Sequence, residues 1–374
     1  MHITRPGRRF GARIAIAGAI ALSLTLSGCA ATSGPASTPT SSATQPTLTF
    51  AGPNGEKPDA LSALSLTADE IAKVKAGNFT AAFVWHTSSD FVTAVEKGAR
   101  EEFEKLGIKV VASTQAGFNA ATQANNVQTV LALHPSIVVG IAVDPTSAAK
   151  AFQPVVDSGT KLVIMTTPPA GYKAGKDFVS IVTEDLSKAG KANADIIGKE
   201  MKGEGEVGYL SYNANFWFTN QRDQAFKDWL GYSYPKMQIV DSEGFADETA
   251  TQTIAAAMIA KHPNMKAIYV SWATAAQGVV AAIRAAGRTD IKVVTNDLDT
   301  TLAAAMVGNG PVAGLVGNGS LGIGQGLALA GAFGVLNKPA PALVASDPTS
   351  VTGDNLKDAW KADYGSDLPA SVGK

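Results

Sequence analysis

Cysteine occurs once in the 374 residues, at Cys29. A single thiol cannot close an intramolecular disulfide or supply a cysteine-pair metal site. Histidine is almost as scarce, with four in the chain. No two stand at metal-ligand spacing, and His134 and His262 each precede a proline at the end of a helical pattern. A Gly-x-Ser-x-Gly elbow is missing, because Asn318-Gly319-Ser320-Leu321-Gly322 lacks the first glycine. No P-loop is present, so any ATP hydrolysis belongs to another chain. Gly322-Ile323-Gly324-Gln325-Gly326 lacks dinucleotide-loop spacing, and close helix packing accounts better for its glycines. A hydrolase or lyase would need a catalytic pair among His86, Asp90 and Asp297, and their spacing gives no sign of one. The chain therefore reads as a non-enzyme without metal or cofactor. Nor does any stretch reach the roughly 20 apolar residues of a membrane-spanning helix.

What is present begins with an address. Arg5, Arg8, Arg9 and Arg13 precede an apolar run over residues 14–26, then Ser27-Gly28-Cys29. A basic start, a short apolar run and small residues at the end form a secretory signal over residues 1–28. Leu26-Ser27-Gly28-Cys29 resembles the lipobox of bacterial lipoproteins, which implies that Cys29 is acylated and becomes the first residue of an outward-facing, lipid-anchored protein. Two or three acyl chains anchor stably where one does not. Residues 1–28 hold four arginines and no acid, so their removal takes the net charge from −1 to −5. That balance disfavours a nucleic-acid partner. Residues 30–49, rich in Ser, Thr and Pro, read as a flexible tether. Residues 50–66 continue it as irregular lead-in, and Thr67-Ala68-Asp69-Glu70 fits a capping box that opens a short helix. The globular part is expected from Phe79.

From there short β-branched runs alternate with alanine-rich helical stretches. Strands are predicted over 81–85, 109–111, 137–142, 161–165 and 179–182, with helices over 91–106, 121–133 and 147–158. The second half repeats the pattern, with strands over 206–210, 236–240, 267–270 and 291–294 and helices over 219–230, 248–260 and 275–286. The strands lack strict alternation, as parallel strands buried on both faces do. Alternation of strand and helix implies βαβ units and a parallel sheet. His134-Pro135 and His262-Pro263 stand 128 residues apart, each between a helix and a strand, and the next strand starts, Lys161 and Ile291, stand 130 apart. The recurring offset predicts an α/β fold of two similar Rossmann-like lobes, with a ligand cleft between their strand-end loops.

Three segments and two landmarks carry a family resemblance: Trp85-His86-Thr87-Ser88-Ser89-Asp90-Phe91 after the first strand, Asn220-Gln221-Arg222-Asp223-Gln224-Ala225-Phe226 opening a helix, Val293-Val294-Thr295-Asn296-Asp297, and the two His-Pro pairs. Residues 79–374 resemble the type I periplasmic binding proteins of ABC importers, in the ribose-binding-like branch. The resemblance implies a three-crossing hinge near residues 183, 318 and 345. One lobe is then 79–183 plus 319–345 and the other 184–318 plus 346–374. It also implies a monomer that binds a monosaccharide or polyol and docks on a membrane permease. The same scaffold could hold a nucleoside or a small signalling molecule. Some transcription regulators share the fold, but the export signal and the lack of a helix-turn-helix before residue 79 count against that role.

Sugar recognition needs flat aromatic faces for the ring and planar polar groups for its hydroxyls. Trp85, Phe91, Phe218 and Trp272 fall at or near strand ends, as do Phe216 and Trp217, whose orientation the sequence leaves open. Arg222 lies where the family has a ligand-binding arginine, with Asn220 beside it, and Asp297 matches a family aspartate that accepts hydroxyl protons. Ser89 and Asp90 follow the first strand and belong to the candidate set. His86, Glu184 and Asp247 have weaker claims. Thr167 takes the place of an aspartate in the usual Asp-Arg pair, and Asn318 sits within one residue of a family glutamine. Trp272 stands where ribose binders carry asparagine, which favours a ligand with more apolar surface than ribose.

Overall fold

The computed structural model describes residues 44–372, so the signal segment, Cys29 and the first part of the tether lie outside the described residues. Residues 44–372 belong to one compact unit. In chain order it runs β1 (Asp59–Ala60), α1 (Ala68–Ala76), β2 (Thr80–Trp85), α2 (Asp90–Lys105), β3 (Lys109–Gln115), α3 (Ala120–Leu131), β4 (Ile137–Gly140), α4 (Pro145–Asp157), β5 (Lys161–Met165) and β6 (Ile181–Glu184). It continues through α5 (Leu186–Glu200), β7 (Glu204–Tyr212), α6 (Trp217–Ser233), β8 (Lys236–Phe245), α7 (Thr251–Lys261), β9 (Met265–Val270), α8 (Ala273–Ala285), β10 (Lys292–Asn296), α9 (Thr300–Met306) and β11 (Val312–Gly317). It ends with α10 (Ser320–Val335), β12 (Leu343–Ser346), β13 (Thr349–Val351) and α11 (Leu356–Tyr364).

The strands form two sheets, ordered β1-β12-β6-β5-β4-β2-β3 and β13-β11-β10-β9-β7-β8. The first is parallel throughout; the second is parallel except for β13, which runs antiparallel to β11 at its edge. The chain passes between sheets after β6, after β11 and after β12. Central strands such as β4 (Ile-Val-Val-Gly) are buried at every residue, because helices cover both faces. Four apolar clusters fill the layers, one on each face of each sheet.

Caps set the helix starts. Thr67 and Glu70 close the capping box of α1, Ser89 caps α2, Asn119 caps α3 and Asp144 caps α4. The lead-in differs from its sequence reading. Residues 50–66 are part of the fold: β1 pairs with β12 at the sheet edge, and Phe50 and Leu64 are buried. The glycines of α10 have a packing role. A Cβ on Gly324 would lie 2.0 Å from the Val95 carbonyl oxygen, and one on Gly98 of α2 would lie 2.1 Å from that of Leu321. Gly324→Ala therefore forces α2 and α10 apart. Chemical denaturation is expected to show a loss of about 1–3 kcal/mol, the usual cost of overpacking.

Candidate functional site

Parallel strands place the loops at their carboxyl ends on one edge of each sheet. Here the two edges face each other. The cleft between them is lined by residues just past seven strand ends: His86 after β2, Phe118 after β3, Ile141 after β4, Thr166 after β5, Tyr212 ending β7, Trp272 after β9 and Asp297 after β10. Its volume is about 770 Å³ with the open mouth included, within the range of small-molecule sites.

The walls are largely aromatic. Phe91, Phe118, Tyr212, Phe216, Phe218 and Trp272 all line the space. Trp272 packs edge-on against Tyr212 and Phe245, and its Nε1 donates to Glu248 Oε2 at 2.9 Å. Across the mouth, Phe118 of the first lobe stacks on Trp272 of the second at 6.4 Å and 25°. The Phe118 ring also meets His86 edge-on at 5.0 Å.

Polar groups sit between these faces, and several are already engaged. Asp90 Oδ2 accepts from the backbone N and Oγ1 of Thr300, 3.0 and 2.8 Å away on the other lobe. Asp299 caps α9 through Leu302 N and accepts from Gln277 Nε2. Asp297 accepts from Asn318 Nδ2 at 2.6 Å. Burial raises its carboxyl above the usual range, against the pull of Arg222 and of the Asn318 bond. Arg222 is buried beneath the cleft. Its Nη1 donates to Glu184 Oε1 at 2.7 Å, its Nη2 to the Ser271 carbonyl, and its guanidinium lies 4.7 Å from the Phe218 ring centroid. Burial pushes the Glu184 carboxyl up, opposed by Arg222 and reinforced by Asp297. Burial also lowers the His86 imidazole to about 4, so the ring is neutral at neutral pH.

Two features mark these residues as a ligand site. His86 Nδ1, Thr166 Oγ1 and Arg222 Nε are buried without a hydrogen-bond partner, which native interiors seldom tolerate. Phe118, Thr166 and Asp297 have φ of 57°, 59° and 70°. Asp enters that region with some ease, but for a bulky or β-branched residue it is an outlier, and such strain collects at ligand clamps.

Of the residues singled out from sequence, Ser89, Asp90, Phe91, Phe218, Arg222, Trp272 and Asp297 come together here. Four do not. Trp85 shares a strand face with Phe83, stacks on it at 5.1 Å and donates to Glu96 of α2, so it belongs to the layer under that helix. Thr167 and Asn220 line a separate outer groove with Pro168, Pro169 and Trp217. Asn318 lies one step behind the cleft and holds Asp297. Among the weaker candidates, His86 lines the cleft, Glu184 supports Arg222, and Asp247 caps the turn after β8. The sequence reading missed Phe118, Thr166, Tyr212, Thr219, Thr274 and Asp299. The rule that ligands sit at strand ends would have found Phe118 and Tyr212 had β3 and β7 been run to their true ends.

The comparison with known proteins agrees with this geometry. The periplasmic binding protein domain family matches residues 81–333. The chain belongs to that family. This periplasmic binding protein is a binding protein rather than an enzyme. It is similar to the D-ribose/D-allose-binding protein of Pseudomonas aeruginosa, 28% identical over 220 residues, a match covering 56% of this chain and 66% of that one. The ribose import binding protein RbsB of Salmonella typhimurium is 24% identical over 238 residues, covering 63% and 78%. Among solved structures, an ABC transporter solute binding protein from Agrobacterium vitis bound with alpha-D-tagatopyranose has a TM-score of 0.69 at 18% identity, covering 76% of this chain and 98% of its own. The Caulobacter myo-inositol binding protein bound to myo-inositol has 0.65 at 22%, covering 76% and 97%. Both show the type I fold.

The neutral histidine gives a pH signature. Its folded value, about 4, lies below its ordinary 6.5. The unfolded chain therefore takes up the proton first as pH falls, and stability present above 6.5 is lost progressively down to about 4. Glu184 and Asp297, whose carboxyls are raised, work in the opposite sense, so the comparison must be between variants. Thermal melts between pH 7.5 and 4 are expected to show a smaller acid-side drop for His86→Gln than for the native chain. Equal drops would mean that the imidazole is already solvated.

Proposed function

We propose that this protein is an extracytoplasmic solute-binding lipoprotein of an ABC importer, and that it holds an uncharged monosaccharide or polyol between its lobes. The observation that carries the reading is the composition of the cleft. Aromatic faces line it, carboxylates and hydroxyls are interleaved between them, and the only cation among the described lining residues, Arg222, is already paired with Glu184. A carboxylate or phosphate ligand would meet Asp90, Asp297 and Asp299 with no free cation to balance it. A neutral ring with hydroxyls at its rim meets stacking surfaces and acceptors. The relatives named for ribose and allose support the same class. The density of aromatic rings favours a second reading, a nucleoside, whose base is also flat and uncharged.

A thermal-shift screen of residues 30–374 with D-ribose, D-allose, D-tagatose, D-arabinose, myo-inositol, glycerol and nucleosides tests this. A ligand at 100 times its dissociation constant stabilises by about 2.7 kcal/mol. Asp297→Asn and Phe91→Ala are expected to abolish the shift while melting unliganded near the native temperature. Arg222→Ala is a poor probe, because it leaves the Glu184 carboxylate buried and unpaired, at a cost of about 3–5 kcal/mol. A nucleoside-only response removes the sugar assignment.

The anchor is tested separately. Cys29→Ser, expressed from the full chain, is expected to move the protein from the membrane fraction to the soluble one. Unchanged partitioning counts against acylation at Cys29.

A further inference from the structure

The segment ahead of α1 touches both lobes. Its base is fixed to the first lobe: β1 pairs with β12, and Asn54 Nδ2 donates to the Tyr172 carbonyl at 3.1 Å. Its tip reaches the second lobe. The Phe50 ring sits 6.0 Å from that of Trp217, the first residue of α6, and Trp217 Nε1 donates to the Ala51 carbonyl at 3.1 Å. Phe50 is 7% exposed. It lies in one apolar cluster with Ala82, Val84 and Val138 of the first lobe and Phe216 and Phe218 of the second. The last two are cleft-lining rings that flank Trp217 in sequence. The N-terminus of α6 has no side-chain cap of its own.

We propose that residues 50–54 form a strap that ties the two lobes in the closed arrangement and positions the Phe216–Phe218 wall of the cleft. The two-lobe cleft is its only premise; the identity of the ligand does not enter. A segment that merely finished the first lobe's core would have no reason to bury a phenylalanine against α6 or to satisfy the indole N–H of Trp217. Because the strap is fixed at one end to the first lobe, opening the cleft must break the Phe50–Trp217 packing and the Ala51 bond together. Phe50 is thus a positioning residue, acting through the wall and touching no ligand.

Amide hydrogen exchange on the full, unliganded chain tests the strap, with Phe50→Ala and Trp217→Phe as variants. The second keeps an aromatic ring but removes the donor to Ala51. Both are expected to speed exchange in α6 from Asn220 onward, where backbone bonding begins, and around residues 271–274 on the far lobe, roughly tenfold or more for Phe50→Ala and less for Trp217→Phe. The central strands β2, β4 and β5 should exchange as before. Faster exchange confined to the first lobe would mean that Phe50 only completes that core, and unchanged exchange at α6 in both variants would equally overturn the strap. The readout needs no ligand, so a failed sugar screen leaves it fully interpretable.

Discussion

The buried ion pair between Arg222 and Glu184 is the constraint on which the arrangement of the lobes depends. Glu184 ends β6, the last strand before the chain first leaves the first sheet, and Arg222 stands in the second turn of α6 on the other lobe. Both side chains are almost fully buried, at 1% and 0% exposure. Two charges removed from water are tolerated only when geometry and further hydrogen bonds replace their hydration. The arginine meets that condition in part: Nη2 also donates to the Ser271 carbonyl after β9, to which Asn296 Nδ2 donates as well, while its Nε is left without a partner. One guanidinium therefore fixes the floor of the cleft against two strand ends, one from each sheet. Its place beneath the Phe218 ring fixes the aromatic wall as well.

With the floor set, the contacts across the mouth have unequal strength. Asp90 caps the first turn of α9 from the opposite lobe, a charge-assisted bond whose partners both reach water when the lobes part. The Phe118–Trp272 stack lies at the surface, with Phe118 38% exposed. Such contacts favour closure modestly, and modest closure suits a binding protein. A ligand can move the equilibrium only by its differential affinity for the two states. A cleft held shut by several kilocalories per mole would exclude its ligand, and one with no bias would hold it weakly.

The strand-and-helix alternation made the two lobes legible, because fully buried parallel strands leave continuous apolar runs such as Ile137-Val138-Val139. The edge strands were harder to read. β3 continues through Ser113-Thr114-Gln115 and β8 through Asp241-Ser242-Glu243, polar residues on strands with a solvent-facing side, so hydrophobicity ends before the hydrogen bonding does. Stopping β3 at Val111 hid Phe118. At the end of β5 the error was one residue: the strand period of two gives Thr166 and Thr167 opposite directions, and Thr166 turns into the cleft through a positive φ that no sequence pattern announces. Trp85 failed by the same parity. Arg222 lines the cleft, but its pairing with Glu184, 38 residues away, depends on how the lobes meet.

The lead-in carries the same lesson further. By composition residues 50–66 look like linker, since glycine, proline, charged and other polar residues make up most of them and only Phe50, Leu61, Leu64 and Leu66 offer much to bury. Scattered apolar residues cannot build a core of their own, yet they can complete one that another segment leaves open. Leu64 fills the layer beneath α10, Phe50 fills the seam between the lobes, and the short strand between them supplies the register that holds both in place. Phe50 buries part of its ring against α6, which moves away when the cleft opens, so that part of its contribution exists only in the closed state. The same burial that makes the segment part of the fold therefore makes it part of the closing equilibrium.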